Sequence, residues 1–361
     1  MSYTIGDLPV QQVRIGDIPV SQMRMGETVI WPSGPLPFSW TPTFRSGFGS
    51  GSWQDVIWVD GLDLFITTIG SGFNVTSVGS NEGGIYTSTN GTTWTEQITP
   101  LTTNSYNGIY YNPVTKLLVI GAGSSKNGDY GNIVTSTDTI NWTPRTNPWT
   151  INNRYGVSGA AWSQSLDIYV AVGMSDNSLH GLASSTDAFT WTNRPYTGTQ
   201  ASRSFYKPVW SSTKNIFVTV GPTTYVQTST NGTTWTERAT PAPASIGSCY
   251  LKWNAKWNLF TLCTSNNYNN MISTDGITWT LKPDFNGIDL IQCLWVPELD
   301  LTVGIERTTY KVYTTPDASN WQWTERCQLG PNYIREFAYS PKLKMFVLGT
   351  NSGTGQYWTI T

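Results

Sequence analysis

Short apolar stretches, rich in β-branched residues and separated by polar turns, recur along the chain in a fixed order. One unit can be read in full. Tyr155 to Trp162 is a small-residue apolar strand, followed by a turn at Ser163-Gln164-Ser165. Leu166 to Gly173 is a second, strongly β-branched strand. A Gly/Ser/Asn-rich loop leads to a third strand at Leu182 to Ser185, and Trp191-Thr192 opens a fourth. The first strand recurs as Trp53 to Val59, Gly108 to Asn112, Pro208 to Ser211, Cys249 to Asn254, Ile291 to Pro297 and Glu336 to Pro341. The second recurs as Leu64 to Gly70, Leu117 to Gly121, Ile216 to Gly221, Leu259 to Cys263, Leu299 to Gly304 and Lys344 to Gly349. The Trp of the fourth strand falls at 94, 142, 191, 235, 279 and 323, a spacing of 44 to 49 residues. Four strands per repeat of this size predict the blades of a β-propeller.

A turn of one design precedes each of these Trp residues, as in Ser88-Thr89-Asn90-Gly91-Thr92-Thr93-Trp94. Asn90-Gly91, Asn231-Gly232 and Asp275-Gly276 supply the positive φ angles of a two-residue hairpin. Asp138-Thr139 and Asp187-Ala188 lack the Gly, so those turns are expected to be strained or of another type. The Trp itself is large enough to cover the gap between neighbouring blades.

The two ends predict how the array closes. After Trp323 the chain supplies three further strands, and the missing Trp-Thr strand lies near the other terminus, in Phe38 to Pro42. Pairing the two ends predicts a seven-bladed ring of four-stranded blades, all-β, over residues 34–361, without a free sheet edge at the join. Residues 1–33 form a separate β-repeat segment. Ile5-Gly6-Asp7-Leu8-Pro9-Val10 returns as Ile15-Gly16-Asp17-Ile18-Pro19-Val20 and, more loosely, as Met25-Gly26-Glu27-Thr28-Val29-Ile30. So short a segment buries too little surface to fold alone, and it is expected to dock on another body. Pro32-Ser33-Gly34-Pro35 reads as a stiff linker.

Composition narrows the function classes. Charged residues make up 12% of the chain and the formal net charge is −2, which argues against nucleic acid as a partner. No apolar run reaches the roughly 20 residues of a membrane helix, and Met1-Ser2-Tyr3-Thr4 carries no signal-peptide pattern. The four cysteines lack CxxC spacing and His180 is the one histidine, so neither a zinc site nor another cofactor is expected. Cys249, Cys263 and Cys293 fall in strands and are expected to be free, buried thiols.

The Ser-Thr-Asn/Asp-Gly-x-Thr-Trp turn resembles the Asp-box of sialidases and related propellers, with Gly one residue sooner than in that family's usual pattern. This resemblance implies a propeller and little chemistry, because the family's boxes lie opposite its active site. The N-terminal Ile-Gly-Asp-x-Pro-Val repeats, with Met25 to Pro32, look like short anchoring segments of bacteriophage virion and tail proteins. That resemblance implies a non-enzymatic virion protein: a tail fibre, spike or decoration protein made in the host cytoplasm and present in multiple copies. It would join tail, baseplate or capsid proteins through Ile5, Gly6, Asp7, Ile15, Gly16, Asp17, Gly26 and Trp31. A sialidase-like glycoside hydrolase and a free lectin or scaffold are the alternatives.

The repeat also sorts candidate chemistry. Arg145, Arg194, Arg238, Arg326 and Lys282 are locked to the period and read as strand-end caps or repeated ion pairs rather than a carboxylate-gripping cluster. Residues off the period are expected on the face that carries the long loops: Tyr130, Trp149, Arg154, Tyr196, Arg203, Tyr268, Phe285 and Tyr333. Aromatic faces beside Arg and Asn suit a host-surface glycan. The acids expected there, Glu82, Asp129, Asp176, Asp284, Asp289 and Glu336, form no convincing pair for glycoside cleavage.

Overall fold

The computed structural model describes strands within residues 4–46, and residues 52–70, 83–100, 105–123, 132–146, 149, 156–173, 181–194, 205–221, 223–242, 249–264, 270–282, 285, 287–316, 321–330, 334–350 and 354–360. Antiparallel four-stranded sheets dominate it. Six are built from four consecutive strands each and are here called blades 1 to 6. Their innermost strands are Ser52–Val59, Tyr106–Asn112, Val157–Ser163, Val209–Ser211, Cys249–Asn254 and Leu290–Val296. A further four-stranded sheet takes Ile334–Ser340, Met345–Thr350 and Thr354–Ile360 from one end of the chain and Trp40–Ser46 from the other. Its register runs from Thr354 opposite Ser46 to Ile360 opposite Trp40. This outer strand extends beyond Pro42 to Ser46; Phe38 and Ser39 lie outside the described residues.

The second strand of each blade is apolar on both faces because both faces pack against neighbours. Leu117–Ala122, Ile168–Gly173, Ile216–Val220 and Leu259–Thr264 are buried throughout. The core is accordingly divided among the blade interfaces. Trp142 packs between blades 1 and 2, Trp191 between 2 and 3, Trp235 between 3 and 4, Trp279 between 4 and 5, and Trp323 between 5 and 6. The first blade packs on the composite sheet through Trp53, Val56 and Phe65 against Ala338, Met345 and Val347, with Trp94 beside them. Each indole thus covers the seam between its own blade and the preceding sheet.

Among the described residues, the turns before Trp94, Trp142, Trp191, Trp235 and Trp279 are not two-residue hairpins. Strand Gly84–Ser88 ends at the first turn residue and Thr95–Glu96 resumes after the Trp, so the connection is a longer loop folded around two side chains. Ser88 Oγ accepts from Gly91 N at 2.9 Å, and Asn90 Oδ1 accepts from the amides of Thr92 and Thr93 at 2.9 and 2.8 Å. Asp138, Asp187, Asn231 and Asp275 repeat the pattern. The copies without Gly keep the same turn. Thr139 and Ala188 adopt φ of 67° and 62°, close to the 71° of Gly91, and carry the strain of a side chain in the left-handed region. Three indoles tie back into these loops: Trp142, Trp191 and Trp279 donate to the carbonyls of Thr139, Ala188 and Gly276.

Asp138 sits well below the ordinary carboxylate range because the Asn141 amide, the Asn141 side chain and the Ile140 amide all donate to it. Burial opposes ionisation of Asp187 and Asp275, but the amides of Thr190 and Phe189, and of Thr278 and Ile277, outweigh it and lower both. A depressed folded-state pKa gives stability that is present above about pH 4 and lost as pH falls through the folded value. Replacing Asp138, Asp187 and Asp275 together by Asn keeps the acceptor, as Asn90 and Asn231 do, and removes the charge. The variant should melt somewhat below the parent near neutrality and lose less on acidification between about pH 5 and 2; equal slopes would refute this. Trp279→Ala, which empties an interface plug 6% exposed, should cost about 3–5 kcal/mol in denaturant titrations.

Candidate functional site

Charged side chains inside otherwise apolar inner strands mark the centre of the molecule. Asp55, on the inner strand of blade 1, is 1% exposed. Its Oδ2 accepts from Ile109 N at 2.6 Å and pairs with Lys207, which precedes the inner strand of blade 4. Its Oδ1 accepts from Val56 N at 3.0 Å. Lys252, on the inner strand of blade 5, reaches Glu336 on the composite sheet at 3.2 and 3.4 Å. Gln292 Nε2, from blade 6, donates to the same carboxylate. These links join sheets far apart in sequence, so they cross the region where the inner strands converge. Burial pulls the Lys252 ammonium down, but the carboxylates of Glu336 and Asp55 outweigh it and hold its pKa above the usual lysine value. Two cations and two anions compensate one another there, and each carboxylate is occupied by hydrogen-bond donors.

A cleft of about 270 Å³ opens from this centre. Lys207 and Lys252 reach it, and Trp58, Trp295, Tyr339 and Glu298 are among its walls. It opens on the face that carries the first-to-second-strand turns. Those turns share a left-handed last residue, Asp63, Lys116, Asp167, Asn215, Asn258, Asp300 or Lys344. Ion pairs Lys256–Asp300 and Lys342–Asp63 lie among them, and Lys256 stands over the Trp295 ring at 5.0 Å. Among the described residues no group of three or more His, Cys, Asp or Glu could hold a metal ion. No helix among them is long and apolar enough to cross a membrane.

Tyr130, Arg154, Tyr196, Arg203, Tyr268 and Tyr333 lie outside the described residues. Trp149 and Phe285 are described, and they correct the expectation of ligand-facing aromatics. Trp149 is buried between blades 2 and 3, its indole 3.4 Å from the Leu182 carbonyl. Phe285 is buried between blades 5 and 6, packed on Trp321 at 4.7 Å. Both follow a fourth strand by a few residues and fill a blade interface with an apolar side chain. Ala242 and Leu329 do the same at other interfaces.

Asp289 and Glu336, expected on the loop face, are instead structural partners. Asp289 is paired with Arg307 at 2.8 Å, and Glu336 lies in the central network. The period-locked arginines do not converge. Arg145, Arg194 and Arg326 each donate from Nε at 2.7 Å to a hydroxyl on the adjacent strand, Thr135, Ser184 or Thr314. Arg145 also stands 3.9 Å over the Phe189 ring of the next blade. In the N-terminal segment, Ile5, Ile15 and Trp31 fall in the paired strands Thr4–Ile5, Val13–Ile15 and Thr28–Trp31. Gly6, Asp7, Gly16, Asp17 and Gly26 lie outside the described residues.

The central network escaped sequence reading, although its signal was present. Asp55, Lys252 and Glu336 each interrupt an apolar strand, where a charge implies a buried partner.

The fold has solved counterparts. The chain is similar to a structure titled "YCF48 bound to D1 peptide", with a TM-score of 0.60 and 10% identity over 89% of this chain and 95% of that one. The likeness establishes an all-β propeller of four-stranded antiparallel blades. No protein-family model and no curated protein sequence matches the chain.

Glu336→Gln strips Lys252 of its principal counter-charge. It should destabilise the protein by about 3–5 kcal/mol, and adding Lys252→Met should recover much of the loss. Equal stability of parent and single variant would show that the pair does not tie these sheets together.

Proposed function

We propose that this protein is a non-enzymatic structural component of a bacteriophage virion. Residues 1–33 attach it to tail, baseplate or capsid proteins, and a seven-bladed ring presents its loop-rich face to the host surface. In this reading the composite sheet is the seventh blade, and pairing of Trp40–Ser46 with Thr354–Ile360 closes the ring. The packing of that sheet on blade 1 supports closure.

The observation that carries the reading is where the N-terminal segment meets the propeller. Trp40 pairs with Ile360, which lies at the same end of its sheet as the turn joining Ser340 to Met345. The chain therefore enters at the rim, on the tight-turn face. Anchoring from that side leaves the loop-rich face pointing away from the particle. Three two-stranded hairpins precede this strand, Thr4–Ile5 with Leu8–Pro9, Val13–Ile15 with Ile18–Val20, and Met23–Met25 with Thr28–Trp31. They follow the ten-residue repeat and are too small to stand alone.

The lysine-saturated carboxylates at the centre favour binding over acid–base hydrolysis. The similar structure holds a D1 peptide by its title, which is in keeping with a propeller that binds another macromolecule. Several copies on one particle would turn weak contacts with host glycans into avid attachment.

Removing residues 1–32 should leave a soluble ring with an unchanged melting temperature that no longer co-purifies with particles. Normal incorporation of the shortened chain would rule out the anchor. A glycan array and host-cell binding by the isolated ring test the display role, and turnover of a fluorogenic sialoside would overturn the non-enzymatic assignment.

A further inference from the structure

Two thiols meet across one blade interface. Cys263 lies on the second strand of blade 5 and Cys293 on the inner strand of blade 6. Their sulfurs are 3.9 Å apart, and both residues are buried. All four cysteines are free thiols, so this contact is unbridged. The two are not equivalent. The Cys263 thiol donates to the Cys293 sulfur, and the Cys293 sulfur also lies 3.2 Å from the Thr261 hydroxyl, which can donate to it once it is ionised.

We propose that Cys263 and Cys293 are an oxidisable dithiol, a modification site at which peroxide installs a covalent staple between blades 5 and 6. Bringing sulfurs already in contact to the roughly 2.05 Å of a disulfide takes side-chain rotation and a small closure of the interface. Cys293 is the attacking sulfur. The Cys263 hydrogen bond lowers its pKa against the opposing effect of burial, with help from Thr261 and the nearby Lys252. Cys263 is pushed in the other direction by the same hydrogen bond and by burial, and it keeps its proton. Both thiols are buried, so a small oxidant such as hydrogen peroxide needs the least opening of the interface to reach them.

The step balances. The Cys293 thiolate attacks one peroxide oxygen and breaks the O–O bond; the departing hydroxide takes up the proton that Cys293 lost, and a sulfenic acid remains. The Cys263 sulfur then attacks Cys293, its proton leaves with the expelled oxygen as water, and the S–S bond forms. Two thiols are oxidised by two electrons and one peroxide is reduced to two waters. The bridge closes a loop of 29 intervening residues within a packed seam, which restricts the unfolded chain. The staple is independent of what the propeller binds. It would leave a freely folding chain in a reducing compartment and a locked interface in an oxidising one.

The test treats the intact protein with hydrogen peroxide and follows its mass, its disulfide map and its melting temperature. The expected result is a loss of about 2 Da from one internal bridge. That bridge should map to Cys263 and Cys293, and the melting temperature should rise by roughly 5 °C, reversed by dithiothreitol. The half-buried Cys327 serves as the internal control for oxidant exposure. Cys327→Ser should keep the mass loss and the shift, whereas Cys293→Ala and Cys263→Ala should abolish both. Oxidation of Cys327 with Cys263 and Cys293 still titrating as thiols would overturn the proposal. So would a bridge mapped to any other pair, or Cys293 found as a sulfinic acid without a bridge.

Discussion

A four-stranded blade has two apolar faces and cannot bury either by itself. The rest of this structure follows from that constraint. The second strands are apolar on both sides, and the core is split among the seams between neighbouring sheets rather than gathered under one sheet. A blade is stable only while it has a neighbour on each side. The terminal sheets of such an array are the exposed liability, and in this protein they pack on one another through Trp53, Phe65, Met345 and Val347. The Trp of each repeat works within the same constraint: it is wide enough to cover a seam, and its N–H can return to the turn before it.

How much of this was legible depends on what each signal encodes. The blade pattern could be read because β-branched runs and Asn-Gly or Asp-Gly turns repeat with four strands in each period of 44 to 49 residues. The turn geometry was misread because Asn-Gly is a strong hairpin signal. The structure instead uses the Ser hydroxyl and the Asn or Asp carboxamide or carboxylate as a scaffold that works with Thr139 and Ala188 too. Trp149 and Phe285 were sorted as irregular and hence free for a ligand. They stand six or seven residues beyond Trp142 and Trp279, as Leu329 and Ala242 stand beyond Trp323 and Trp235. The position repeats while the residue type does not, so a pattern sought by identity misses it. The central ion pairs were hidden for another reason: Asp55 with Lys207 and Lys252 with Glu336 are distant in sequence, and only the propeller fold brings them together.

The same topology links structure to the proposed role. Supplying the outermost strand of the composite sheet from residues 40–46 makes the N-terminal segment emerge at the rim rather than the centre. Under the proposed attachment, a body tethered there would be offset to one side and would leave the opposite face free. The central carboxylates and lysines act as ties between blades, while the cleft beside them is bounded by Trp58, Trp295 and Tyr339.

Ring closure is the claim on which the orientation of both faces depends, and it makes Thr354–Ile360 an interior strand rather than an edge. Hydrogen exchange on this strand, compared between chains beginning at residue 33 and at residue 47, tests it most directly. Its amides should be protected in the longer chain and exchange rapidly in the shorter one, while blades 2 to 5 remain protected in both. Undiminished protection of Thr354–Ile360 after removal of residues 40–46 would contradict closure by the N-terminal strand.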